Sequence, residues 1–287
     1  MAQKNRYDGP HNADREEESN GMLVIIGLIV VFSCVIGGYM AMGGKLHVLN
    51  QPFEFVIIGG AAMGGYLVAN SKAVLGNTMG GLKRLFAGPA YGKKNYLELL
   101  GLMFVIFKVA KKKGMLALEA HVESPSESTI FTEFPDFLKD HHGLDFMCDY
   151  LRILTMGGEN VYHMEDLMNE DIETMHHEEL AVAEAIQYMG DATPALGIVA
   201  AVLGVIKTMG SITEPPEVLG KLIGGALVGT FLGVLLAYGM FGPMANGMIA
   251  IYNADGNYFT CMKVGILAYM NGYAPSIAIE FARKSLP

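Results

Sequence analysis

Residues 22–42 read MLVIIGLIVVFSCVIGGYMAM, a run without a single charged side chain. At about 1.5 Å of rise per residue, a helix of this length crosses a bilayer core of about 30 Å. A cleaved leader is a poor reading, because the preceding region is acid-rich and the run is too long. Three more runs follow. The second spans about 52–70, PFEFVIIGGAAMGGYLVAN; the third starts at Thr193, TPALGIVAAVLGVI, and ends around Lys207 to Ile212; the fourth covers about 222–243, LIGGALVGTFLGVLLAYGMFGP. Composition agrees with a membrane protein: of 287 residues, 52% are hydrophobic and only 17% charged, where a soluble domain carries about 25% charged. Three Cys (Cys34, Cys148, Cys261) without paired spacing exclude a disulfide scaffold and a Cys-rich zinc site. The net charge of -9 argues against nucleic acid as a partner.

Residues 96–110, YLELLGLMFVIFKVA, imitate a fifth span. Only nine residues separate Glu98 from Lys108, a rise of about 14 Å, less than half the hydrocarbon thickness. The stretch reads as a buried or amphipathic helix of a water-facing domain. Lys72, Lys83, Arg84, Lys93, Lys94, Lys108 and Lys111 to Lys113 follow the second span, whereas the other two links hold Lys45 and no basic residue at all. The bias places the central loop and both termini in the cytoplasm. The expected organisation is therefore all-α: a disordered acidic tail at 1–21, spans 1 and 2 within 22–70, a cytoplasmic helical domain at 71–192, spans 3 and 4 within 193–248, and a cytoplasmic helical segment at 249–287.

Catalytic patterns are missing. His176–His177 with Glu178–Glu179 lack the HExxH spacing that puts two ligands on one helical face, and read as a solvated face. His141–His142 read as a loop. No GxSxG, P-loop or Rossmann fingerprint occurs, so the chain reads as a non-enzyme without a metal or cofactor. The spans are more informative. Gly225, Gly229 and Gly233 recur every fourth residue, Gly60 and Gly64 likewise, and Gly197 and Gly204 share a face with Ala201. Small residues at this spacing let helices approach closely, within one protomer, between protomers or around a partner helix. Asp and Glu are absent near mid-membrane; Glu54, Lys207 and Lys221 sit near span ends. A proton pathway normally shows an ionisable group in the bundle, so a proton carrier of this sequence takes its carboxylate from another chain. Thr193, Thr230 and Tyr238 are polar groups within or at the mouth of the spans, and Pro194 and Pro243 sit where proline begins or kinks a helix.

GDATPALGIVAAVLGVI, ALVGTFLGVLLAYGMFGPMA and NGYAPSIAIEFARK, with GMLALEAHVESPSES in the loop and IGGYMAMGG closing span 1, resemble the MotA/PomA family of flagellar stator ion-channel subunits over about 22–287. The resemblance implies five copies ringing two MotB-like subunits in the bacterial inner membrane. The MotB helix supplies the proton-accepting Asp, and ion flow drives the rotor through the switch protein FliG. It implies that Pro194 and Pro243 couple ion passage to conformational change, that Thr230 faces the partner Asp, and that Tyr238 lines the pore. Glu119 falls at the family's acidic rotor contact. Lys111 falls at its basic contact, as Lys instead of Arg, so that Lys111, Lys112 or Lys113 carries the charge without the bidentate fork.

The competing reading from the same resemblance is an ExbB/TolQ-type energiser of periplasmic transport. Those proteins usually have three spans and a different loop order. As for the ion, sodium-driven relatives place Thr where Ala201 and Gly229 stand here. A hard cation takes several oxygen ligands, and Thr230 alone supplies one hydroxyl, so the expected coupling ion is H⁺.

Overall fold

The computed structural model describes the backbone of residues 13–158 and 160–286, and the side chains of the same residues from Gly21 onward. Its helices are α1 (Ala13–Ala41), α2 (Leu46–Leu49), α3 (Pro52–Ala69), α4 (Lys72–Ala87), α5 (Lys93–Lys113), α6 (Glu119–Glu123), α7 (Pro135–Lys139), α8 (His141–Thr155), α9 (Val161–Met209), α10 (Pro216–Leu236), α11 (Gly242–Met270) and α12 (Pro275–Lys284). A π-turn over Ala237–Phe241 joins α10 to α11. Among the described residues there is no strand. Four segments are long and apolar enough to cross a membrane: Gly21–Ala41, Leu46–Ala69, and stretches within Val161–Met209 and Pro216–Met270. The all-α class with four spans holds.

The chain forms two compact units. The membrane unit comprises residues 18–88 and 179–251. Its α1 leaves Leu23, Ile25, Ile26, Ile29 and Val30 exposed, as a helix dissolved in hydrocarbon does. The expected tail at 1–21 lies partly outside the described residues, at 1–12. From Ala13 the backbone is helical and runs unbroken into span 1, where disorder is expected. A helix nucleated by the span gains one bond per added residue, and acidic residues suit its N-terminus. In α3 the buried set is Glu54, Ile58, Ala62 and Tyr66, every fourth residue. Amphipathic α4 is capped by the Ser71 hydroxyl accepting from Val74 N–H, and closed by Gly88 at φ 95°, whose N–H donates to the Arg84 carbonyl. Arg84 also pairs with Glu179 at 2.8 Å.

The head unit takes residues 89–178 and 252–287. Here α5 buries Leu99, Leu102, Met103, Ile106, Phe107 and Ala110, so the stretch that imitates a span is a core helix. Lys111, Lys112 and Lys113 occupy its last turn, and Gly114 at φ 85° ends it. Aromatic stacking ties the core together: Tyr91 on Tyr258 at 3.8 Å and Phe107 on Tyr269 at 4.7 Å between centroids. The Tyr150 hydroxyl donates to Asp171 at 3.0 Å. The divisions expected at 192/193 and 248/249 fall inside α9 and α11, and the units part at 178/179 and 251/252.

Candidate functional site

Two long helices carry the candidate site, and small residues bring them together. A Cβ added at Gly197 would stand 2.7 Å from the Gly229 carbonyl oxygen, and one at Gly233 would stand 2.5 Å from the Thr193 carbonyl oxygen. Gly204 meets Ala226 in the same way, and Gly229 faces Ala200 and the Ala201 N–H. The seam between α9 and α10 is thus backbone against backbone, which only glycine allows. Gly225 instead abuts the Gln51 amide, and Gly60 and Gly64 have nothing within 4 Å and point outward. Of the expected packing glycines, those two make no close contact inside this chain.

Along this seam both helices are distorted at the same level. Pro194 lies inside α9, where it offers no N–H to the carbonyl four residues back, that of Gly190. The Thr193 hydroxyl, 1% exposed, donates to that carbonyl at 3.0 Å and satisfies it. Facing Gly190 is the π-turn: a Cβ there would lie 3.1 Å from Phe241 Cβ, 3.5 Å from Gly242 N and 3.8 Å from the Ala237 carbonyl oxygen. Pro243 follows two residues after that turn, which widens the helix ahead of it, closed by Gly242 N–H donating to Ala237 O. π-turns inside α-helices recur at functional sites. The two prolines that the sequence set apart therefore flank one joint.

Thr230 and Ala201 are half-buried, and Pro243 and Tyr238 are exposed, Tyr238 at 75%. Thr230 and Val234 of α10 and Tyr238 of the π-turn recur every fourth residue, with Val234 and Tyr238 open. Lys111, Lys112, Lys113 and Glu119 are all exposed in the head unit, at the end of α5 and the first turn of α6.

One polar residue carries more than its position suggested. Glu54 sits near the start of α3, yet it is only 9% exposed, and one carboxylate oxygen is buried without a hydrogen-bond partner. That oxygen would meet a Cβ at Gly229 at 2.8 Å, and the other lies 3.7 Å from the Cβ position of Gly204. The missing side chains of Gly229 and Gly204 make room for the carboxylate. A signal was present in the sequence: Glu54 is in phase with Ile58, Ala62 and Tyr66 on the buried stripe.

Among the described residues no group of His, Cys, Asp and Glu is placed to hold a metal. Burial pushes the Cys148 thiol up to about 12, well away from a reactive thiolate. Burial, and then the bond to Asp171, raise the Tyr150 phenol too.

Comparison with known proteins gives the site its context. The Motility protein A N-terminal model matches residues 25–114, and the MotA/TolQ/ExbB proton channel family model matches residues 141–256. Motility protein A of Salmonella typhimurium is 43% identical over 265 residues, covering 92% of this chain and 90% of that one. The flagellar MotAB stator complex from Bacillus subtilis superposes with a TM-score of 0.69 at 26% identity, over 92% of this chain and 95% of the other. A C. jejuni MotAB structure shares the fold, with a TM-score of 0.75 at 19% identity over 93% and 96% of the two chains.

Proposed function

Since the chain belongs to the motility protein A family of the MotA/TolQ/ExbB proton channels, we propose that it is the stator subunit that, with a MotB-like partner, turns ion flow into rotation of the flagellum. Five copies surround two partner subunits in the bacterial inner membrane, with the head unit and both termini in the cytoplasm. The joint of Pro194 and the π-turn before Pro243 carries this reading. Two helices that share a glycine seam and are both weakened at one level can exchange two arrangements without losing their packing. Protonation of the partner's Asp, beside Thr230, selects between them. Tyr238, open in the π-turn that follows α10, lines the path. The head unit passes the movement to the switch protein FliG through Glu119 and the lysines of α5.

The periplasmic-transport alternative lacks support from the four spans and from the flagellar relatives. H⁺ is the ion: Ala201 and Gly229 offer no side-chain oxygen, so a desolvated Na⁺ would find too few ligands. The test is complementation. Co-expressed with its partner subunit in cells lacking a stator, the chain restores swimming. Membrane vesicles holding both chains take up protons, and vesicles holding this chain alone do not. Proton uptake without any swimming would return the reading to the transport class.

A further inference from the structure

On α12 the usual economy of burial is reversed. Its small residues, Ala278 and Ala282, are fully buried, and Ala282 packs beside Gly265 of α11. Its large ones, Ile277 and Phe281, are each 45% exposed, as is Tyr273 just before the helix. Tyr273, Ile277 and Phe281 recur every fourth residue and form one stripe, with the Tyr273 and Phe281 rings 5.0 Å apart. At the N-terminus of α12 the stripe reaches a notch of about 280 Å³ lined by Phe104, Lys108, Lys111, Lys112, Pro275 and Ser276. The floor is apolar, with Phe104 38% exposed, and the rim is cationic. Lys108 stands three and four residues before Lys111 and Lys112, so like charges share one helical face, an arrangement that destabilises an isolated helix. No described carboxylate pairs with any of the three. Lys108 Nζ lies 5.7 Å from the centre of the Phe104 ring, so floor and rim meet there. An open apolar stripe ending in positive charge that no described carboxylate pairs is half of an interface.

We propose that this notch and the α12 stripe are one docking surface, and that its occupant is a helical segment of the rotor partner carrying an acidic side chain beside apolar ones. The carboxylate meets Lys108, Lys111 and Lys112 together, and its apolar neighbours cover Phe104, Ile277 and Phe281. The rotor contact is then an apolar seat with a charged rim, not a lone pair of opposite charges. Concavity selects a protein side chain over a lipid surface, since a bilayer would touch only the rim. The proposal rests on the stator reading above and extends the rotor contact onto α12.

Its test uses motile cells with the full chain and its partner subunit. A photo-crosslinking amino acid at Ser276 captures the rotor switch protein, and the same probe at Tyr162, exposed elsewhere on the head unit, does not. Ile277→Ser lowers the capture about tenfold, as for loss of one interface anchor, while vesicle proton uptake stays unchanged. Lys108→Glu, which pairs with Lys111 and Lys112 on the same helical face, lowers it about fivefold by neutralising the rim. Capture of a second copy of this chain, of lipid, or of nothing, in cells that swim and conduct, overturns the docking surface. Failure of the unaltered chain to conduct protons would remove the stator reading beneath it.

Discussion

The α9–α10 seam and the head core are both helix packing, built by opposite means. In the head, large side chains fill the space: Phe107, Met147, Leu151 and Tyr258 are all at most 3% exposed. In the seam, side chains are removed: Gly197, Gly229 and Gly233 bring backbone to backbone. A core of interlocked side chains has one arrangement, whereas a smooth glycine face resists sliding less. On the proposed reading the head is the rigid part that transmits, and the seam the part that moves. Pro194, the π-turn and the buried Glu54 carboxylate all lie in or against the seam.

The largest effect should come from Phe107→Ala in the head. It removes a ring stacked on Tyr269 and costs about 3–5 kcal/mol, read as early loss of the head in limited proteolysis while the membrane helices stay protected. Gly233→Ala comes next. Its Cβ would strike the Thr193 carbonyl, which as backbone cannot step aside, so the purified chain should lose about 1–3 kcal/mol in thermal unfolding. Gly64→Ala, open on its side, should leave that unfolding unchanged. Equal losses at the two glycines would erase the distinction between seam and surface.

Two further changes, one of similar size and one smaller, sharpen the comparison. Thr193→Val strands the Gly190 carbonyl that Pro194 leaves open, costing about 1–3 kcal/mol, and Thr193→Ser restores it. Pairing this with Pro194→Leu, which returns an N–H to the same carbonyl, should recover stability but not rotation. If the double variant swims, the joint is structural only. Smallest is Glu119→Lys, an exposed charge worth about 0–1 kcal/mol. It should slow swimming in part, spare proton uptake, and be rescued by a reversed charge on the rotor protein.

Much of this was legible in the sequence for a physical reason: hydrocarbon demands long uncharged runs, and charge spacing rejected 96–110 as a span. The limits of the spans were harder to read. Nothing in the backbone stops at Thr193, because an acidic surface helix and an apolar span can share one axis, and α9 continues through Pro194. Spacing likewise made Gly60 and Gly64 look equal to Gly229 and Gly233; only the partner across the helix distinguishes them. Glu54 was hidden by its place near a span end, where a carboxylate normally reaches water. The π-turn has no composition signal of its own, and Pro243 marks only its neighbourhood.

The coupling ion tests the account most directly. Cells that rely on this chain and its partner subunit are tracked while external Na⁺ is varied and a protonophore is added. With Thr230 as the lone hydroxyl beside Ala201 and Gly229, swimming should ignore Na⁺ and collapse with the protonophore. Swimming that survives the protonophore and rises with Na⁺ would contradict it.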